Sequence, residues 1–362
     1  MTNDGQSAQL VERAGEPLLS LPAPYLLFLG DTVEPSYAKT AFGLRDWAPD
    51  QCIGEFALPS ARVTTGLQPM SPAEARTQGA RSLLIGVANA GGFLPQSWVP
   101  ALLESLEAGL DVVSGMHDRL GDVPELAAAA ARLGRRLIDV RVSPDNIPVA
   151  TGRKRSGRRL LTVGTDCALG KKYTALAIAR GLAARGMDVQ FRATGQTGMM
   201  IAGSGIAIDS VVADFLAGAA EALSPDAAPD HLDVIEGQGS LFHPAYGAVS
   251  LGLLHGSQPD LFVVCDEPGR TEILGNPGYP IPTIEQVIEL TLSMGRLTNP
   301  AIRCCGISLN TAGLDETDAA QLMEATARRL GLPVADPVRG HGLEQLLDAC
   351  APDGTGHSGS GA

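Results

Sequence analysis

The residues best suited to chemistry form a glycine-rich segment, Gly164-Thr-Asp-Cys-Ala-Leu-Gly170-Lys171-Lys172. An apolar run that predicts a strand precedes the segment, and an alanine-rich run that predicts a helix follows it. Glycines there let backbone N–H groups turn toward an anion, while the helix N-terminus and Lys171 add positive charge. The segment therefore predicts a phosphate-binding loop. We expect its cofactor-binding residues to be Gly164, Thr165, Asp166, Cys167, Ala168, Leu169, Gly170, Lys171, Lys172, Tyr173 and Thr174.

This loop departs from the usual spacing of phosphate-binding loops. Five residues rather than four separate its glycines, and Lys172 stands where a Mg²⁺-binding Ser or Thr is usual. The nearest hydroxyl is that of Thr174. We therefore expect the loop to hold phosphates without a metal ion. The helix N-terminus should lower the thiol pKa of Cys167, although no partner base marks that thiol as a nucleophile.

A second chemical segment is Glu236-Gly-Gln238-Gly239-Ser, which follows another predicted strand. An acid at the carboxyl end of a parallel strand lies in the crevice where α/β sheets bind ligands. We expect Glu236 or the nearby His243 to act as general base, with Lys171 as a further catalytic candidate. A solvated Glu at a turn and a structural His are the alternatives. Gln238 and Gly239 are candidate substrate-binding residues.

Further candidates for substrate binding follow other strands. The glycine-rich segment from Arg192 to Gly205 is expected to be either a loop whose own backbone can closely approach a substrate or a flexible connection. Arg192 and Arg270 could each bind a carboxylate through a guanidinium fork. Asn310 could contact a purine base or cap a helix. The remaining substrate-binding candidates are Thr194, Gly195, Gln196, Thr197 and Gly198.

The elements that must position these residues alternate between apolar strands and helices. Strands are expected at 25–30, 82–87, 110–114, 136–140, 160–164, 188–193, 232–236, 260–265, 302–308 and 333–335. Helices are expected at about 96–108, 122–134, 171–185, 206–223, 284–296, 315–330 and 342–349. Buried strands separated by helices are typical of parallel α/β sheets, so we expect two doubly wound α/β domains.

The expected domain organisation is a flexible N-terminus (1–20), a Rossmann-like domain (21–147), a larger domain like those of P-loop NTPases (148–352) and a disordered tail (353–362). A basic run, Arg153–Arg159, begins the second domain. This run is either a solvated linker or a clamp for an anionic ligand.

Composition limits the class of protein. The 362 residues include 44% hydrophobic and 19% charged residues, which excludes global disorder. A net charge of −13 disfavours nucleic acids and anionic membranes as partners. No apolar stretch is long enough to cross a bilayer, and six scattered Cys are typical of a cytoplasmic protein with reduced thiols. The Ala- and Gly-rich helices are compatible with a homo-oligomer.

The combined motifs, including Gly-Gln-Thr-Gly at 195–198 and Leu-Asn-Thr at 309–311, resemble the domain of unknown function 1611 family. The resemblance spans about residues 22–350 and implies a Rossmann-like domain joined to a P-loop domain. A described member acetylates D-glutamate, so the resemblance implies an N-acetyltransferase that uses acetyl-CoA and a small acidic amino acid. Backbone N–H groups near 195–198 or 237–240 would then stabilise the thioester oxyanion.

Two other functions stay open. The loop also resembles that of dethiobiotin synthetase, which implies an ATP- and Mg²⁺-dependent ligase or kinase. Asp166, Thr174 and Glu236 would then be the metal-site candidates. The third function is a nucleotide-binding regulator without chemistry. The missing hydroxyl after Lys171 favours the acyltransferase over the ligase, and the polar strand-end segments favour an enzyme over a regulator.

Overall fold

A computed structural model describes residues 19–89, 91–144 and 146–351. The predicted disordered tail, and all but two residues of the predicted flexible N-terminus, lie outside these ranges. The described residues divide into two compact units. The first comprises residues 19–144 together with 195–210, and the second comprises residues 146–194 together with 211–351.

Eleven strands and eleven α-helices make up the described part of the chain. The strands are β1 Tyr25–Gly30, β2 Cys52–Ala57, β3 Ser82–Ile85, β4 Asp111–Ser114, β5 Leu137–Asp139, β6 Arg158–Gly164, β7 Val189–Arg192, β8 Leu232–Ile235, β9 Leu261–Asp266, β10 Arg303–Leu309 and β11 Val334–Ala335. The helices are α1 Lys39–Trp47, α2 Pro72–Thr77, α3 Val99–Glu107, α4 Pro124–Leu133, α5 Lys171–Ala184, α6 Gln196–Ala202, α7 Ala213–Leu223, α8 Gly247–Ser257, α9 Ile284–Gly295, α10 Glu316–Leu330 and α11 Leu343–Cys350.

Each unit is built on one parallel sheet. The first sheet has the strand order β2-β1-β3-β4-β5, and the second has the order β11-β10-β9-β6-β8-β7. Apolar residues of the strands pack against helices in both cores, as with Leu26 and Phe28 against Trp98 in the first unit. The predicted class of two α/β domains with parallel sheets is confirmed.

The strand order of the second sheet determines where its ligand site must be. β6 lies between β8 and β9, so the carboxyl ends of these three strands meet at one edge. The predicted phosphate loop follows β6, Glu236 follows β8, and Asp266 ends β9. All three features therefore lie at the crevice where open α/β sheets bind ligands.

The expectation that the whole segment from Arg192 to Gly205 is a loop is wrong. Residues Gln196–Ala202 form α6, which packs in the first unit, where the Thr197 and Thr40 hydroxyl oxygens are 3.0 Å apart. The run Met199–Ile201 is buried there, and burial of these apolar side chains outweighs the low helix propensity of Gly198. The helix expected at 206–223 begins as α-helix only at Ala213.

The basic run Arg153–Arg159 was expected to be either a solvated linker or a clamp for an anionic ligand. Both expectations are wrong for Arg155 and Arg159, which are buried. Arg155 donates to the carbonyl oxygens of Ser224 and Gly256, each at 2.7 Å. Arg159 donates to the Ser224 hydroxyl and to Pro225 O, each at 2.8 Å. Both guanidinium groups are buried, and burial lowers the pKa of each. These arginines hold neighbouring segments together and are neither solvated nor directed at a ligand.

None of the helices in the described ranges combines the length and the apolar character that a bilayer crossing requires.

Candidate functional site

The loop between β6 and α5 forms an anion-binding nest. Ala168 and Gly170 have φ angles of +56° and +104°, which turn successive N–H groups to the same side. Within the described ranges, the backbone N–H groups of Ala168, Leu169 and Gly170 donate to no protein acceptor. These three donors lie at the N-terminus of a 14-residue helix, whose dipole also attracts anions.

Lys171 supplies the full positive charge of the nest. Its side chain is buried, and Nζ donates to Asp166 O at 2.6 Å. Burial lowers the pKa of this lysine because its charge has left water. An anion placed in the nest would stabilise the buried ammonium directly. The role of Lys171 in binding a cofactor stays a prediction.

Asp166 is the acid inside the loop, and its oxygens are fully engaged. They accept hydrogen bonds from Cys167 N at 2.6 Å, from Leu274 N at 2.8 Å and from the Arg270 guanidinium at 2.8 Å. Burial alone would raise the pKa of Asp166, but these hydrogen bonds and the charge of Arg270 hold it below its ordinary value. Asp166 is therefore an ionised carboxylate paired with an arginine.

Arg270 lies against the phosphate loop rather than in an open cleft. Besides Asp166, its guanidinium contacts Cys167 O at 2.8 Å and pairs with Glu267. Its role as a substrate clamp stays a prediction. The other predicted clamp, Arg192, pairs through Nε with the buried Asp233 at 2.6 Å. That contact is directed back along β8, away from its carboxyl end.

The structure contradicts the expected pKa shift of Cys167. Burial raises the pKa of its thiol, and this exceeds the lowering by the nearby charge of Lys171. The sequence suggested a lowered value because a helix begins nearby, but it could not reveal how deeply the thiol is packed. A thiol that stays protonated is a poor nucleophile.

One group of side chains has a geometry that deserves comparison with metal sites. Single donor atoms of Asp166, Cys167 and His243 all lie within 4.8 Å of one another. These residues do not fit a cation, because Arg270 already binds the carboxylate and burial keeps the thiol protonated. The hydroxyl of Thr174, a metal candidate in the ligase hypothesis, lies 2.8 Å from the Ser308 hydroxyl behind the loop.

Glu236 lies at the carboxyl end of β8. Its side chain is buried, and Oε2 accepts the N–H of Thr194 at 3.0 Å while the Thr194 hydroxyl donates to Glu236 O. Gln238 donates to the same hydroxyl at 3.0 Å. A Cβ on Gly237 would lie 1.6 Å from Thr162 O and 3.2 Å from Lys171 Cδ. Only glycine fits at position 237. The backbone that follows Glu236 therefore lies directly beside the nest.

His243 is also buried beside the loop. Its Nδ1 accepts the backbone N–H groups of Ala245 at 3.1 Å and Tyr246 at 3.3 Å. Its Nε2 lies 4.0 Å from Asp166 Oδ1. The structure therefore brings the two base candidates, Glu236 and His243, to the same edge of the sheet as the nest.

The other predicted site residues belong to both units. The ammonium of Lys172 lies over the Tyr173 ring, 4.5 Å from its centroid. Asn310 accepts the N–H of Ala312 at 3.3 Å, which is the contact of a local turn. Four residues predicted to bind substrate belong to the first unit, at the start of α6: Gly195, Gln196, Thr197 and Gly198.

Sequence reasoning missed two residues that connect the loop to its neighbours. Thr165 donates to Asp266 Oδ1 at 2.7 Å, and burial raises the pKa of Asp266. The hydroxyl of Ser240 donates to Thr165 O at 3.1 Å. The signal for Asp266 was present, since it ends a predicted strand as Glu236 does, but only Arg270 of that segment was chosen.

A nest with a buried lysine, flanked by strand-end acids on a parallel sheet, defines an α/β protein with a phosphate-binding loop. The family model for the P-loop domain called domain of unknown function DUF1611_C matches residues 148–347. The model for the Rossmann-like domain DUF1611_N matches residues 57–143. The chain belongs to the DUF1611 family.

Relatives match nearly the full length of the chain. It is 47% identical over 331 residues to a D-glutamate N-acetyltransferase of Tritonibacter scottomollicae, covering 91% of this chain and 99% of the relative. It is 44% identical over 329 residues to a protein of the same name from a Pseudoalteromonas species, with the same shares covered. A crystal structure of a DUF1611 family protein from Anabaena variabilis superposes with a TM-score of 0.78 at 34% identity, covering 90% of this chain and 98% of that one.

Proposed function

We propose that this chain is an N-acetyltransferase that moves the acetyl group of acetyl-CoA to the amine of D-glutamate. The observation that carries the proposal is the near-full-length similarity to two proteins named D-glutamate N-acetyltransferase. The site agrees with it, because the second unit has a nest for phosphates and a buried acid beside it. The resulting product is N-acetyl-D-glutamate.

The nest is suited to the phosphates of acetyl-CoA. The N–H groups of Ala168, Leu169 and Gly170 and the ammonium of Lys171 would bind them. Positive charge at this place comes from the lysine and the helix N-terminus, so phosphate binding does not require a divalent cation. This local charge explains how a chain with a net charge of −13 would bind an anionic co-substrate.

Glu236 is our choice for the general base. Its carboxylate is buried and is fixed by the Thr194 N–H. It would take a proton from the D-glutamate ammonium, after which the amine attacks the thioester carbonyl carbon. The new carbon–nitrogen bond stays and the carbon–sulfur bond breaks. The proton that the nitrogen then loses reaches the departing thiolate to give CoA, and the proton taken by Glu236 is released to solvent. Backbone N–H groups at 237–240 are candidate donors to the oxyanion.

The ATP- and Mg²⁺-dependent alternative has less support in the site. Asp166 is bound by Arg270, and the Thr174 hydroxyl contacts Ser308. All three of its metal candidates are therefore engaged with protein groups, because Glu236 also accepts the Thr194 N–H. Glu236 and Asp266 are the acids that a ligase of this kind would have to use.

The experiment is an assay of thiol release. Purified protein is incubated with acetyl-CoA and each of a panel of acidic amino acids, and free CoA is measured with a thiol reagent. A parallel tube contains ATP and Mg²⁺ in place of acetyl-CoA and is assayed for ADP and phosphate. We expect thiol release with D-glutamate and no nucleotide turnover. Absence of thiol release across the panel would overturn the proposal.

A further inference from the structure

The buried imidazole of His243 is held in one orientation by the backbone. The residue is 4% exposed, and its Nδ1 lies 3.1 Å from Ala245 N and 3.3 Å from Tyr246 N. Backbone N–H groups can only donate hydrogen bonds, so Nδ1 must accept with its lone pair. The proton of the neutral ring is then on Nε2.

The neighbour on the other side of the ring agrees with this tautomer. The amide nitrogen of Asn276 donates to Leu274 O at 3.1 Å and lies 3.4 Å from His243 Nε2. A neutral imidazole cannot accept at both ring nitrogens, and the two backbone donors at Nδ1 are fixed in place. In this tautomer the Asn276 amide N–H and the His243 Nε2–H are both donors. Their 3.4 Å contact is therefore not a hydrogen bond.

The Nε2–H group lies beside the phosphate loop. Asp166 Oδ1 is 4.0 Å away, beyond hydrogen-bond distance, and the Cys167 sulfur lies within 4.8 Å of one ring nitrogen of His243. Among the residues that the structure describes, Nε2–H has no protein acceptor. A buried donor without an acceptor costs free energy, so its presence beside a nest points to an oxygen atom of a ligand.

We infer that His243 is a neutral hydrogen-bond donor to a ligand oxygen in the phosphate loop, and not the general base of the reaction. This inference rests on the proposed acetyl transfer. The oxygen is either that of the thioester, which becomes an oxyanion during transfer, or a phosphate oxygen of CoA. Both accept the same Nε2–H, and the kinetic constants separate them.

Two substitutions of His243 separate the possible functions of its ring. His243→Asn keeps an acceptor near the position of Nδ1 for the Ala245 and Tyr246 N–H groups, but it lacks the distal donor. His243→Gln can place an amide N–H near the position of Nε2, but it cannot take up a proton. The pair therefore distinguishes donation, proton transfer and backbone support, and thermal unfolding checks that both variants fold.

We expect His243→Gln to retain activity within about tenfold of the natural protein and His243→Asn to lose about 10²- to 10³-fold, as for removal of an oxyanion donor. A loss confined to kcat identifies the thioester oxygen, and a loss of CoA affinity in direct binding identifies a phosphate oxygen. Equal, severe losses in both folded variants would show a base and overturn the inference. An active His243→Asn variant would show a structural role and also overturn it.

A spectroscopic measurement tests the tautomer without the assay. Histidine-selective ¹⁵N labelling of the full chain, with the His243→Asn spectrum for assignment, reports which ring nitrogen carries the proton. We expect the Nε2–H tautomer at neutral pH, with and without CoA. An Nδ1–H tautomer would overturn the inference. Because this readout needs no turnover, it stands even if the acetyl-transfer proposal fails, and thiol release by the natural protein tests that proposal separately.

Discussion

The ammonium group of Lys171 is buried, and the backbone carbonyl that it contacts compensates its charge only weakly. Its ammonium contacts a backbone carbonyl, Asp166 O, while three N–H groups of the same loop lack protein acceptors within the described ranges. Burial lowers the pKa of this lysine because desolvation disfavours its charged form. A phosphate in the nest would satisfy the N–H groups and the ammonium together, so binding and charge compensation are the same event.

Replacing Lys171 tests this residue directly. We expect Lys171→Ala to weaken CoA binding by at least 100-fold, because a charge-assisted contact to phosphate is lost from a buried site. Titration calorimetry with CoA is the measurement. Arg328→Ala, which removes an equal charge from a side chain 74% exposed, is the matched control and should bind normally. Unchanged binding by Lys171→Ala would remove the nest from the CoA site.

Asp139 gives a prediction about pH in the first unit. Burial raises the pKa of this carboxyl group to about 6, although the Leu120 N–H partly opposes the shift. The folded state therefore holds the proton more tightly than the unfolded state. The stability contributed by Asp139 is complete below pH 4 and is lost as the pH rises through about 6.

Asp139→Asn should remove that loss. The quantity to compare is the free energy of unfolding of the variant minus that of the natural protein. We expect this difference to be about 1–2 kcal/mol larger at pH 7.5 than at pH 4, after allowance for partial solvent screening. Urea unfolding at both pH values is the measurement, and exposed Asp230→Asn is the control. A difference that does not depend on pH would contradict the assigned shift.

Among the elements, the basic segment before β6 acts as a structural connection. Arg155 reaches carbonyl oxygens of Ser224 and Gly256, which lie at the C-terminal end of α7 and in α8. Its side chain is 5% exposed, whereas that of Arg153 is 64% exposed and pairs with Asp226. Two arginines of one run therefore have different energetic roles.

The prediction for this segment concerns stability and not binding. Arg155→Ala should lower the free energy of unfolding by about 2–4 kcal/mol, because buried carbonyl groups lose their donor. Arg153→Ala should cost less than about 1 kcal/mol, as expected for an exposed ion pair. Denaturant unfolding measures both, and CoA affinity should be unchanged in both. Weakened CoA binding by a folded Arg155→Ala variant would restore the clamp hypothesis.

Elements with strong local signals could be predicted from the sequence, and those made by tertiary contacts could not. α10 has an Asp315 N-cap and a left-handed Gly331 after its end, and its predicted range of 315–330 is nearly that observed. β2 was missed because its buried Glu55 interrupts the apolar pattern. α6 was missed because contacts in the first unit override its glycine-rich sequence.

For the molecule as a whole, the sequence grouped the candidate site residues at one edge of a sheet but did not reveal which of them pair. Parallel strands bring their carboxyl ends together, so the loop and Glu236 could be grouped without coordinates. The Arg270–Asp166 contact joins residues 104 positions apart, and no spacing rule reveals it. The same limit applies to the burial of Cys167, which reversed the expected direction of its pKa shift.

The central claim is acetyl transfer to D-glutamate by a protein whose phosphate loop needs neither ATP nor a metal ion. The most direct measurement uses acetyl-CoA labelled with ¹³C in the acetyl group, D-glutamate and EDTA, with mass spectrometry of the amino acid and assay of free CoA. We expect labelled N-acetyl-D-glutamate in amounts equal to the CoA released, and no labelled product with Lys171→Ala. No labelled product, or product formed only with ATP and Mg²⁺, would contradict it.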